Sequence, residues 1–163
     1  MVQSKFNIPE TVVKVNTLFQ RDRLPIVGEF IATQAKLMCP VGKYEDGRVG
    51  GRLRGSITWT TQDSQSEVES PATDKDKMRK PDKRLTLRVG TNVDYAPYPE
   101  FGTAPHFIQP PDPSGVLTFM IHGKRVFAKF VEHPGTQPQP YLRPSVDLYK
   151  NEILRLLGGK IIK

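Results

Sequence analysis

Residues 116–131 read VLTFMIHGKRVFAKFV. Two apolar segments, Val116–Ile121 and Val126–Val131, flank His122-Gly123-Lys124-Arg125, and a glycine-containing turn between two β-forming runs predicts an antiparallel hairpin. Upstream, Ile57, Trp59 and Thr61 alternate with Thr58, Thr60 and Gln62, while Leu85, Leu87 and Val89 alternate with Thr86 and Arg88. Period two with β-branched and aromatic residues predicts two more strands, most simply paired as a second antiparallel hairpin. Its long connection would form a mobile basic loop at about 70–83. Between the hairpins lies YAPYPEFGTAPHFIQPPDPSG, residues 95–115, which reads as an irregular proline-rich arm too broken for regular structure.

Helices frame the strands. After Pro9, Val12, Val13, Leu18 and Phe19 suggest a first helical stretch, and Pro25 predicts either two helices or one kinked helix. Ile26, Val27, Phe30, Ile31, Leu37 and Met38 then recur at helical spacing until Pro40, leaving Glu29, Thr33, Gln34 and Lys36 mainly outward. Five glycines mark Pro40–Gly55 as a loop. Near the C-terminus Leu142, Val146, Tyr149, Ile153 and Leu156 form a core-facing stripe, with Pro144 in the first turn and Gly158-Gly159 as the stop. The predicted fold class is α+β: an antiparallel β-sheet with N-terminal and C-terminal helices packed on one face and long Pro/Gly-rich loops.

The chain has 163 residues, 37% of them hydrophobic, with 15 prolines and 13 glycines. That length fits a single domain over 1–163, with a flexible N-terminus at about 1–9. One cysteine, Cys39, excludes an internal disulfide framework and a multi-cysteine zinc site. No apolar run reaches the roughly 18 residues of a membrane span, so a soluble, intracellularly made protein without a membrane partner is expected. Net charge is +7, unevenly placed: residues 89–119 hold no Lys or Arg and sum to −3, and residues 120–163 sum to +5. A basic balance of this size favours nucleic acid or an acidic protein surface as partner.

Catalytic and cofactor chemistry finds little support. Gly42–Gly47 has the glycine spacing of a P-loop, but Arg48-Val49 stand where a Lys and a Ser or Thr must meet phosphate and magnesium. His106, His122 and His133 each lie beside Pro or Gly, and none is paired at helical spacing as a metal site would need. Ser56, Ser114 and Ser145 lack a nucleophile-elbow context, and Cys39 reads as buried and inert. No enzyme, catalytic residue, metal or cofactor is expected. Between Lys75 and Arg88 seven Lys or Arg face two acids. Lys75, Lys77, Arg79, Lys80, Lys83 and Arg84 read either as a solvated face or as a non-specific contact to DNA or an acidic surface. The arm, with aromatics on a proline-fixed backbone, suits a protein–protein contact or a loop covering the sheet.

Three blocks together resemble the tail-completion or neck (head–tail joining) protein family of long-tailed bacteriophages. Tyr95, Ala96, Glu100, Phe101, Gly102 and Thr103 match that family's "YA-x-x-x-EFGT". His133, Pro134, Gly135, Thr136, Pro140, Leu142, Arg143 and Pro144 match "HPGT-x-x-x-PF-L-R-P-A", with Tyr141 for Phe and Ser145 for Ala. Pro40-Val41 and Gly51–Ile57 look like "P-V-D-T-G-x-L-R-x-S-I", split here by an insertion through Gly42–Gly50. The resemblance spans residues 25–157. It implies a structural virion protein, made in the host bacterial cytoplasm and assembled as a ring at the head–tail junction, where it joins the tail to the DNA-filled capsid. Six or twelve copies are expected by analogy, with neighbouring neck and tail proteins as partners and a non-specific contact to DNA in the lumen as a secondary expectation. Arms at 95–115 and 132–140 would dock into neighbours on assembly. The subunit-interface candidates are Tyr95, Tyr98, Glu100, Phe101, Thr103, His133, Tyr141 and Arg143. Glu100 of one subunit would meet Arg143 of the next, or else both would anchor loops within one chain. The alternative function is a basic, non-sequence-specific nucleic-acid-binding module.

Overall fold

The computed structural model describes residues 17–42, 50–83 and 85–158. The expected flexible N-terminus, the helical stretch before Thr17, most of the inserted glycine loop, Arg84 and Gly159 lie outside these residues. Helix α1 (Thr17–Met38) runs unbroken through Pro25 and ends before Pro40. A proline inside a helix removes one backbone hydrogen bond, and packing on both sides offsets that loss. Gly28, Ala32, Ala35 and Cys39 form a stripe of small residues spaced by three and four. Val27 and Ile31, one position behind, form a second stripe. The expected apolar face holds at Val27, Phe30, Ile31 and Met38 and fails at two positions: Ile26 is 57% exposed and Leu37 75%.

The small stripe lets other elements approach closely. Helix α2 (Arg52–Ser56) follows Gly51, whose φ of 100° starts it, so the expected loop over 40–55 closes with a helical turn. Strand β1 (Thr58–Thr60) pairs antiparallel with β2 (Arg88–Gly90), Trp59 facing Val89. The two predicted strands are there and pair as expected, but both are shorter: the first ends at Thr60 and the second starts only at Arg88. Leu85 has φ 55° and leaves the alternation. A Cβ on Gly28 would stand 2.7 Å from the Trp59 ring and 2.9 Å from Leu87, so only glycine lets α1 lie this close to the sheet. All three β1 residues are buried. Ala32, Ala35, Leu53, Ile57, Trp59, Val93 and Tyr141 are among those forming the main core.

The other side of α1 receives the C-terminal stripe. One helix was expected there, and two short ones form, α4 (Leu142–Asp147) and α5 (Lys150–Leu156). At the junction Tyr149 leaves the helical region at φ −108°, ψ 17°. Its ring meets Phe30 edge-on at 5.5 Å while Leu142 and Ile153 both stay buried. The break therefore keeps both ends of the stripe on α1. Arg23 Nη1 donates to the Leu156 carbonyl at 2.9 Å, placing a cation at the C-terminus of α5.

The fold class is α+β, with helices at both ends of the described chain. The strands divide into three two-stranded antiparallel sheets and do not join into one. The segment 95–115 corrects the expectation of no regular structure. It contains helix α3 (Pro97–Phe101) and strand β3 (His106–Ile108). Pro97 occupies the first helical position, where its missing N–H costs nothing. Strand β4 (Leu117–Ile121) and β5 (Lys124–Ala128) form the predicted hairpin, and β3 pairs with β6 (Val131–His133). The turn is two residues, tighter than the four expected: His122 and Gly123 both have positive φ, 48° and 74°. That is the geometry that matches the twist of adjoining strands.

Candidate functional site

Two of the resembling blocks meet in space. The Glu100 carboxylate, at the end of α3 and 6% exposed, accepts three backbone hydrogen bonds at the start of α4. Tyr141 N–H donates to Oε2 at 2.8 Å, Leu142 N–H to Oε2 at 3.0 Å and Arg143 N–H to Oε1 at 3.0 Å. A helix start leaves its first N–H groups without partners, and a carboxylate there satisfies both the hydrogen bonds and the dipole. Tyr141 is fully buried beneath this cap. Its hydroxyl points to the Ala96 carbonyl at 3.5 Å, and burial pushes the phenol well above its usual pKa.

The next residues form a clasp. Thr103 N–H donates to the Thr136 carbonyl at 3.0 Å, Thr136 N–H returns a bond to the Thr103 carbonyl at 3.2 Å, and the two hydroxyls lie 3.0 Å apart. Each threonine is preceded by a glycine with positive φ, Gly102 at 74° and Gly135 at 85°. A Cβ on Gly102 would fall 2.5 Å from the Thr136 carbonyl oxygen, and one on Gly135 would fall 2.1 Å from that of Thr103. The Gly-Thr dipeptides at 102–103 and 135–136 thus face one another because neither position admits a side chain.

Beyond the clasp the same register continues through His106 opposite His133 and Ile108 opposite Val131. It then shifts, residues 109–116 lying opposite 129–130, before the terminal hairpin. Residues 103–136 form an antiparallel ribbon. From Phe101 to Pro140 no residue is buried, although Phe107, Val116, Met120, Ile121, Phe127 and Phe130 are large and apolar. His106 and His133 sit on paired strands, not in loops, with ring centroids 5.1 Å apart. Among the described residues no group of three or more His, Cys, Asp or Glu side chains converges as a metal site would require.

The structure separates the interface candidates into two sets. Tyr98 and Phe101 are exposed, 58% and 50%, and the Arg143 guanidinium lies over the Phe101 ring at 5.5 Å. Tyr95 is 36% exposed, and Thr103 and His133 are half-buried in the clasp and ribbon. Glu100 and Tyr141 are internal. The expected pairing of Glu100 with Arg143 of a neighbour is corrected: the carboxylate is occupied by main-chain N–H groups of its own chain, the intrachain alternative. Gly102, Gly135 and Thr136, absent from the candidates, turn out to shape the site. Their signal was already present in the repeated Gly-Thr.

The basic segment also divides. A 3-10 turn at Asp74–Asp76 places Asp76 in the interior, where Arg52 Nη2 and Nε donate to its two oxygens at 2.7 and 3.2 Å. The Arg52 guanidinium, together with the Thr73 N–H, holds the Asp76 carboxyl below the usual range. Lys77 is drawn into ion pairs with Glu67 and Asp74. Lys75, Arg79, Lys80 and Lys83 are exposed. Cys39 is 7% exposed, and burial pushes its thiol up to about 11. A thiol this hard to ionise is a poor nucleophile at neutral pH.

The family model described as "Bacteriophage HK97-gp10, putative tail-component" matches residues 22–102. Over this stretch, about half of its length, the chain is a match to the HK97-gp10-like family. The match begins in α1 and stops at Gly102, the first glycine of the clasp, so it covers α2, β1, β2 and α3 and ends where the ribbon leaves. Comparison with curated proteins and with solved structures gives no match. The match is to a family of phage tail components, and no helix among the described residues is long and apolar enough to cross a membrane.

Proposed function

We propose that this protein is a structural subunit of a ring at the head–tail junction of a tailed phage, where it joins the tail to the DNA-filled capsid. The observation that carries this reading is the division at the clasp. The family match ends at Gly102, and a ribbon with no buried residue begins there. A ring subunit needs a packed body to hold its shape and an apolar extension to meet its neighbours. The copies would number six or twelve, with other neck and tail proteins above and below. The proposal assigns the chain no catalytic step and no cofactor. Electron microscopy of lysates from a phage lacking the gene tests it. DNA-filled heads beside separate, complete-looking tails support a joining role. Filled heads with tails of irregular length assign it to tail termination instead, and intact infectious particles overturn both.

A secondary, non-specific DNA contact rests on Lys75, Arg79, Lys80 and Lys83, which stand exposed within one stretch of chain. Contacts of this kind release counterions, so binding would weaken steeply with salt. DNA affinity in the purified chain that does not change between low and physiological salt argues against it.

A further inference from the structure

We propose that the exposed face of the terminal hairpin of one copy docks into a groove on the outer face of α1 of a second copy, linking neighbours head to tail. This rests on the ring reading above and names its contact surfaces. On α1, Asp22, Ile26, Glu29, Thr33 and Leu37 recur at intervals of three and four, and all are exposed. Ile26, Phe30 and Trp59 wall an apolar groove along this face, with Glu29 and Thr33 on its rim. An adjoining recess shares Pro25 and adds Asp22 and Asp63. Among the described residues the two linings carry three carboxylates, Asp22, Glu29 and Asp63, and no Lys or Arg.

The hairpin is the complement in both chemistry and charge. Thr118 stands opposite Phe127 and Met120 opposite Arg125, so these four side chains share one face, and all four are exposed. Met120 and Phe127 supply apolar area, each about 60% in water. Residues 116–131 contain Lys124, Arg125 and Lys129 and no acid at all. A two-stranded ribbon with apolar groups on both faces is marginal alone and gains from being covered. The acidic groove offers Ile26, Phe30 and Trp59 to Met120 and Phe127, and Asp22 and Glu29 to Arg125. The two surfaces are different parts of the chain, so the contact is heterologous and propagates from copy to copy until a ring closes.

The test uses phage particles complemented with the full chain carrying Thr33→Cys and Thr118→Cys, both exposed positions, oxidised and run without reductant. A ladder of covalent dimers, trimers and higher species is expected. A cross-linked monomer would mean the arm covers its own groove, and particles that hold the protein without any ladder would also overturn the pairing. Charge supplies a second readout. Arg125→Glu is expected to lower complementation titre at least about tenfold, and Asp22→Arg in the same chain to restore much of it. An unchanged titre for Arg125→Glu overturns the proposal. Multi-copy ring density at the junction without a ladder removes this contact and leaves the ring reading standing. A single copy per particle removes the ring reading itself.

Discussion

Ile57 in the body is fully buried, whereas Phe127 in the arm, a larger apolar side chain, keeps 62% of its surface in water. The same contrast holds around each. Ile57 lies among Leu53 and Trp59, close in sequence, and Val93 and Tyr141, far along the chain. Phe127 lies on a ribbon whose strands pair with one another in a local ladder. Burial of an apolar side chain stabilises by about 1.5–3 kcal/mol, so the body holds its own shape. The arm keeps its apolar area unused within the subunit, which is what a surface meant for another molecule does. Substitutions should therefore act on folding in the body and on association in the arm.

The largest effect is expected where body and arm are tied. Glu100→Ala leaves three N–H groups at the start of α4 without their acceptor in a buried setting, and should cost about 4 kcal/mol in denaturant unfolding. A loss under about 1 kcal/mol would show that the cap is ornamental. Gly135→Ala attacks the clasp itself. A Cβ pressed 2.1 Å from the Thr103 carbonyl oxygen at φ 85° must open the bridge. The expected cost of about 2 kcal/mol is local, read as roughly thirtyfold faster amide exchange at Thr103 and Thr136 with little change at Ile57.

Thr58 allows a test in the opposite direction. It is 2% exposed and its hydroxyl finds no hydrogen-bond partner among the described residues. Thr58→Val keeps the shape, favours the strand and removes the orphan oxygen, so stability should rise by about 1 kcal/mol. A destabilised variant would reveal a partner for that oxygen. Asp76 predicts a pH dependence within the body. Its pKa is lower folded than its ordinary 3.8, so its contribution is present above that value and fades as pH falls through it. Thermal unfolding between pH 5 and 2.5 should show a shallower acid decline for Asp76→Asn than for the parent. The smallest effect belongs to the arm. Phe127→Ser should move folding stability by no more than about 0.5 kcal/mol, and a larger loss would place Phe127 in the subunit's own core.

The sequence made the fold class legible through periodicity, and the pairings β1–β2 and β4–β5 followed from alternation with turn residues between. It misled where composition was read as structure. Prolines at 95–115 suggested irregularity, yet Pro97 starts a helix because first-turn positions need no N–H. Apolar spacing on α1 found the buried Val27 and Ile31 but also pointed to the exposed Ile26 and Leu37, and it missed the second buried stripe of Gly28, Ala32 and Ala35, residues that hydrophobicity alone undervalues. At the candidate site the resembling blocks were found but not their reason. A glutamate in a stretch without Lys or Arg looked like a partner for an external cation. Nothing local could show that main-chain N–H groups 41 to 43 residues away would fill both its oxygens.

Trp59 is the chain's one tryptophan, 8% exposed, with its indole N–H bonded to Glu29 at 2.7 Å. Its fluorescence is therefore a built-in optical probe of the body. Because the same ring walls the groove on α1, its emission also lies within reach of whatever fills that groove. Docking of the proposed kind would be followed in real time by light alone, with no label attached.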